Sequence, residues 1–343
     1  MKLSFADIIK YSLSFLVAAA LFAYLYKDQD FGKMLTDLSK ADFTWIIVSV
    51  LLSLISHWSR GWRWVIALRG MGYQTSIFRA FLAIFVGYIA NLMLPRMGEV
   101  SRCVVFQRTD DVPFQKAFGS VLAERAVDLI MLFSAVLFTL FWELDRLSAL
   151  LNTKFGGQQD AYKAKLMLLA YILLPALILG FLLWYFRKKL LTIGFVQKIA
   201  GFLGGIKEGF LSIMALNASA RWAYVAHTFV IWVCYYYMTY VLFFSMPETA
   251  HLDWLCGFTV LAMGGIAMAV PVQGGIGVYH YLVSGGVQAY GVEKLIGDYF
   301  AVLIHGSQVV TILFFGTLAL ALMLYFASTK KKKQPQNIKS PNP

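Results

Sequence analysis

The chain has 343 residues, of which 59% are hydrophobic and only 14% charged, with a mean hydropathy of +0.68. A soluble domain carries about 25% charged and about 45–50% apolar residues, so the composition excludes a soluble fold and leaves an integral membrane protein with no room for a sizeable soluble domain. The formal charge of +12 does not signal nucleic acid, because basic residues cluster at the ends of apolar runs, as at 187–189 and 330–333, where the positive-inside rule puts them.

A membrane span needs about 20 predominantly apolar residues. The first falls at 8–26; it is too long for a signal-peptide core and lacks a small-residue cleavage site, so it is expected to persist as a span. Phe31, Met34, Leu35 and Leu38 form an amphipathic stripe, and a second span follows at 44–68. The apolar stretch 78–113 is broken near its middle by Pro95-Arg96-Met97-Gly98-Glu99. A third span at 116–141 carries Glu124, Arg125 and Asp128. Beyond a loop of mixed charge near 142–165, a fourth span occupies 166–186. Leu191, Phe195, Ile199, Phe202, Ile206, Phe210 and Ile213 then recur at spacings of three and four, one helical face that suits the interface plane. Spans at 221–246 and 296–326 flank a second broken stretch, 254–292, interrupted by Pro271-Val272-Gln273-Gly274-Gly275-Ile276-Gly277.

Each broken stretch reads as a re-entrant helix–turn–helix, since irregular backbone at membrane depth survives only where protein or a wet cavity surrounds it. The fold class is therefore all-α, a polytopic membrane protein of about six full spans plus two re-entrant helical hairpins. Arg60, Arg63, Arg69 and Arg79 are expected on the cytoplasmic side with both termini, and the connection 247–253, with Glu248 and Asp253 but no Lys or Arg, outside. Both halves run in the same order: span, amphipathic stretch, span, broken hairpin, span. Three crossings per half make the repeat an inverted one, so the hairpins enter from opposite faces and their tips can meet near the midplane, where such transporters hold substrate. The transmembrane domain is read as 1–329, with halves of about 1–145 and 160–327, and 330–343 as a basic cytoplasmic tail.

Polar residues concentrate at the breaks. Arg96, Glu99 and Arg102 share one face if the segment after Gly98 is helical. Glu124, Arg125 and Asp128 would each cost about 2.5–3.5 kcal/mol facing lipid, so they are expected inward, with the carboxylates offsetting Arg96, Arg102 or Arg125. Two readings stand: an ion-pair network locking the first hairpin to the next span, or a headgroup or phosphate site in which Arg forks and the freed Gly98 N–H serve as donors. In the second motif Pro271 ends a helix, and Gly274, Gly275 and Gly277 permit a tight turn and close backbone approach. His280 follows, either as a hydrogen-bonded structural residue or in a proton-sensing or substrate role. His305 and Gln308 share a face of the last span as interhelical hydrogen-bond partners. Trp62, Trp64, Tyr235, Tyr236 and Tyr237 suit interfacial or packing roles as well as any ligand cage. Cys103, Cys234 and Cys256 read as small buried hydrophobes.

On Arg63-Trp64, Pro95-x-x-Gly98-Glu99-x-x-Arg102, Glu124-Arg125-x-x-Asp128 and Pro271…Gly274-Gly275-Ile276-Gly277, in that order, the chain resembles the lysylphosphatidylglycerol synthase transmembrane (flippase-like) family of bacteria and archaea, over about 10–326. The resemblance implies a lipid or lipid-linked headgroup translocase in the cell membrane. Arg96, Arg102 and Arg125 would hold an anionic headgroup; Glu99, Glu124 and Asp128 would set arginine geometry or bind a cationic moiety or proton; the glycines and His280 would line the second tip. The family often has Pro-Gly-Gly and a Glu after the glycine turn, where this chain has Gln273 and His280. Bifunctional members carry an aminoacyl-transferase domain after the membrane part; here a Lys-rich tail follows, so a stand-alone membrane domain without transferase activity is expected. Expected partners are a membrane lipid with an anionic or aminoacylated headgroup and no nucleic acid; a homodimer suits such folds. No cofactor and no metal is expected. The rival readings are a membrane scaffold that binds lipid or a partner enzyme without transport, and an intramembrane enzyme built on Ser284-Gly285 and His305, against which Leu282 stands where a Gly would be required.

Overall fold

The computed structural model describes residues 31–155 and 213–333, apart from Pro95 and Pro271, with isolated positions 16, 23 and 211. The expected spans at 8–26 and 166–186, the helical face from Leu191 to Phe210 and the two prolines lie outside the described residues. Those residues form nine α-helices and two short 3-10 turns, with no strand among them. In chain order the helices are α1 Phe31–Leu38, α2 Phe43–Gly70, α3 Ile77–Met93, α4 Gly98–Asp110, α5 Phe114–Phe155, α6 Ala218–Tyr240, α7 Trp254–Ala269, α8 Val278–Gln288 and α9 Lys294–Lys333.

The helices start where side chains can take up orphan backbone donors. Asp42 accepts from Thr44 N at 2.9 Å, Asn217 from Ala220 N at 2.8 Å and Asp253 from Cys256 N at 2.9 Å. Three helices, α2, α6 with its 3-10 extension to Ser245, and α9, are long and apolar enough to cross a membrane. The span expected at 116–141 is helical throughout as part of α5. On α1, Met34 turns into the core while Leu35 is exposed.

The seam between α2 and α6 is closed by small hydroxyl residues. Ser49, Ser53, Ser56 and Ser59 are all buried; Ser49 Oγ donates to the Met238 carbonyl at 2.8 Å, and Ser59 Oγ meets His227 Nδ1 at 2.8 Å. Small residues let helix backbones approach, and their hydroxyls add interhelical bonds where lipid offers no hydrophobic drive.

Helices α3 and α4 fold back on one another. A Cβ on Gly98 would lie 2.4 Å from the Gly87 carbonyl oxygen, so contact at that point requires glycine. Helices α7 and α8 do the same, with Gly264 against Tyr279 near the turn and Gly286 beside Thr259, Val260 and Met263 further out. Their turn needs positive φ at Gly274 (60°), Gly275 (73°) and Gly277 (83°), a region that disfavours any side chain.

Helix α9 is the spine along which both hairpins lie. Asp298 binds Ser284 at the base of the second hairpin, and His305 reaches the Gly274 carbonyl at its tip. Further along, Gly316 abuts Phe85 and Ile89 of α3, and Lys330 binds the Thr109 carbonyl and Asp111 at the base of the first hairpin. At 1.5 Å per residue, Asp298 and Lys330 are about 48 Å apart. The hairpins therefore run toward each other from opposite ends of α9, and their tips touch. Gln273 Nε2 donates to the Leu92 and Met93 carbonyls at 2.9 and 2.6 Å, and Arg96 Nη2 to the Ala269 carbonyl at 3.1 Å. Each hairpin has its own apolar core: one around Val260, Val283, Tyr299 and Phe300, the other around Trp64, Phe85, Phe106 and Met323.

Candidate functional site

The charged residues converge where α2 and α5 face α4 of the first hairpin. Asp128 bridges two guanidiniums, Arg60 Nη2 at 2.5 Å and Arg63 Nη2 at 2.8 Å. Arg60 Nη1 also donates to Tyr88 at 2.6 Å and Tyr235 at 3.0 Å, and Arg63 Nη1 to Thr228 Oγ1 at 3.2 Å. Arg102 pairs with Glu124 at 2.9 Å and lies over the Trp64 ring, 4.8 Å from its centre. Trp64 is held in turn by donating to Ser120 Oγ at 2.8 Å. A buried charge is tolerated when paired and hydrogen-bonded in this way.

Arg125 is held more loosely. Its Nε lies 3.4 Å from Glu99 Oε1, close enough for an ion pair but not aligned as a hydrogen bond, and its Nη1 lies 3.9 Å from Asp128. The Arg125 and Glu99 side chains are 39% and 25% exposed, against 4% and 0% for Arg102 and Glu124. Burial thus declines toward an open cleft whose lining includes Arg60, Tyr88, Asn91, Gly98, Glu99, Arg102 and Arg125. Four guanidiniums meet three carboxylates here, a surplus of one positive charge. Inside, Arg60 Nε, Arg63 Nε and Glu124 Oε1 are buried without a hydrogen-bond partner among the described residues.

Arg60 and Arg63, expected on the cytoplasmic side, are 4% and 0% exposed, with Asp128 holding both. Two sequence-based expectations change. Arg96 does not share a face with Glu99 and Arg102: the helix begins at Gly98, Arg96 precedes it with φ 61°, and its guanidinium crosses to Ala269 instead of joining Glu124 or Asp128. The Gly98 N–H is not a free donor, since Asn91 Oδ1 accepts it at 2.6 Å. Glu99, Arg102, Glu124, Arg125 and Asp128 are brought together; Gly274, Gly275, Gly277 and His280 gather at the other tip, outside the cleft lining.

At that second tip, His280 Nδ1 accepts from the Gly277 N–H at 3.3 Å, and His305 Nε2 contacts the Gly274 carbonyl at 2.9 Å. His305 stacks on Tyr279, which is hydrogen-bonded to Gln308. No group of three or more potential metal ligands occurs among the described residues.

Residues 11–316 match the family model described as the lysylphosphatidylglycerol synthase TM region. A UPF0104 membrane protein of Pyrococcus horikoshii is 23% identical over 277 residues, 74% of this chain and 80% of that protein. A UPF0104 membrane protein of Methanocaldococcus jannaschii is 29% identical over 133 residues, 38% of this chain and 37% of its own length. The glycosyltransferase AglD of Haloferax volcanii is 26% identical over 274 residues, 73% of this chain but 44% of AglD. No solved structure matches.

Proposed function

This chain belongs to the family of the lysylphosphatidylglycerol synthase TM region, and from that premise we propose that it is a translocase for a lipid or lipid-linked headgroup. In this reading six full spans and two re-entrant hairpins form an inverted repeat in the cell membrane, with both termini cytoplasmic. The headgroup enters the charged cleft while its acyl chains stay in the bilayer. Arg102 and Arg125 hold an anionic group through their planar forks; Glu99 binds a cationic moiety or proton; Arg60, Arg63 and Asp128 form the fixed floor. The same membrane region accompanies one name for lysylphosphatidylglycerol synthesis and another for glycosyl transfer. That supports a role common to both, handling the lipid, rather than either transfer reaction.

The observation that carries the reading is the gradient across the cleft. A network built only for stability has no need of its most exposed pair, Glu99 with Arg125, beside a pair as buried as Arg102 with Glu124. One observation favours the scaffold reading: Arg60, Arg63 and Arg102 are already matched by buried carboxylates, so the cleft has little spare charge. Liposomes decide between them. Glu99→Gln and Arg102→Ala should abolish leaflet exchange of a labelled lipid that wild-type protein moves. Wild-type rates in both variants remove these residues from the mechanism, and wild-type protein that binds lipid without moving it supports the scaffold.

A further inference from the structure

The tip of the second hairpin holds two imidazoles that the charged cleft does not use. The Gly277 N–H can only donate, so His280 Nδ1, which receives it at 3.3 Å, is unprotonated. The Gly274 carbonyl can only accept, so His305 Nε2, 2.9 Å away, carries a proton. Each ring thus ties down one of the positive-φ glycines of the turn. The rings stand edge to face with centres 4.9 Å apart, and both residues are 5% exposed. Among the titratable groups facing His280 are His305, from α9, and Tyr279, its neighbour on α8; α7 contributes Gly264 and Met268 to the packing around the turn.

We propose that His280 is a proton-binding site that latches this tip, so that the tip stays closed only while Nδ1 is unprotonated. A proton taken from water onto the Nδ1 lone pair turns that atom from acceptor to donor. The Gly277 N–H then loses its partner, two donors face each other, and a cation appears beside His305 in a site of low exposure. The turn opens to hydrate the charge. With it go the Gln273 bonds to the Leu92 and Met93 carbonyls that join the two tips. The sign follows from linkage: the open tip binds one more proton than the closed one, so falling pH favours opening. The latch rests on the translocase reading only for its consequence, that headgroup movement would be coupled to a proton.

The test needs no transport. Spin labels at Met93→Cys and Val270→Cys, on the exposed flanks of the two tips, report the gap in full-length protein in lipid nanodiscs between about pH 8 and about pH 5, the range in which an imidazole titrates. A single short distance is expected at the alkaline end, with a longer population growing up to about tenfold per pH unit below the midpoint. His280→Gln keeps an acceptor that can reach the Gly277 N–H, as Gln does at the same position of a capping box, and does not titrate; it should hold the short distance throughout. Nitrogen NMR of histidine-labelled wild-type protein should show His280 Nδ1 gaining its proton at the same midpoint. A wild-type distance that ignores pH, a response surviving in His280→Gln, or an Nδ1 midpoint unrelated to the opening would each overturn the latch. None of these results bears on whether lipid moves, so the latch and the translocase reading fail separately.

Discussion

At the first tip, the helix that begins at Gly98 carries Glu99 and Arg102 into a network of four guanidiniums and three carboxylates. At the second, the helix that begins after Gly277 carries Tyr279 and His280 against His305 and Gln308. The outlines correspond: incoming helix, glycine break, outgoing helix, then a long helix behind. Glu124 and Asp128 on α5, which starts at Phe114, are answered by His305 and Gln308 on α9, which starts at Lys294, at nearly the same distance along the helix. The same frame thus holds a charged site on one side and an imidazole site on the other. Charge suits the first tip to the headgroup site proposed for it, and the paired imidazoles suit the second to the proposed proton latch.

The largest effect should come from Asp128→Asn. It leaves two buried guanidiniums without a counter-ion, and breaking a buried pair costs about 3–5 kcal/mol. Loss of monodisperse protein, or a steep fall of the thermal midpoint in detergent, is the expected outcome, while Gln308→Leu at the equivalent place in the second half should be mild. Equal effects would dissolve the contrast between the two tips. Next comes Gly98→Ala, whose Cβ would press on the Gly87 carbonyl at a cost of about 1–3 kcal/mol. Gly274→Ala, at φ 60°, should cost about 1–2 kcal/mol. Thermal melts of the pair compare crowding with backbone strain directly.

Smaller in stability but not in activity is Glu99→Gln. The pair it breaks is partly exposed and contributes about 0–1 kcal/mol, so the melt should scarcely move while leaflet exchange is lost. A melt that falls as far as for Asp128→Asn would make Glu99 structural. Least affected should be Lys330→Ala, which removes a partly exposed contact to Asp111 and changes stability by under about 1 kcal/mol.

Much of the frame was legible in the chain. The breaks at Gly98 and Gly277 were marked by proline and glycine, the apolar runs at 44–68 and 296–326 fall inside α2 and α9, and the run at 221–246 covers most of α6 and its 3-10 extension to Ser245. The burial of Glu124 and the near-complete burial of Asp128 followed from the cost of charge in lipid. The pairing of Arg60 and Arg63 with Asp128 was not legible, because a positive-inside reading counts charges along the chain without their neighbours, and Asp128 lies more than sixty residues away. The serine seam was present as Ser49, Ser53, Ser56 and Ser59 at helical spacing, a signal that a search for charged residues passed over. Arg96 was placed on a helical face because the helix start could not be fixed to the residue, and two positions decide whether it faces the cleft or the other tip. The meeting of His280 with His305 depends on how α8 lies on α9, which no local pattern encodes.

The most direct test of the account asks whether the hairpins enter from opposite faces. Single cysteines at Asp111→Cys and Gly291→Cys, at the two hairpin bases, can be challenged with an impermeant thiol reagent in sealed vesicles of known orientation; Cys103, Cys234 and Cys256 are buried and give little background. The account predicts labelling of Asp111→Cys only from the cytoplasmic face and of Gly291→Cys only from the opposite face. Labelling of both from the same face would contradict it.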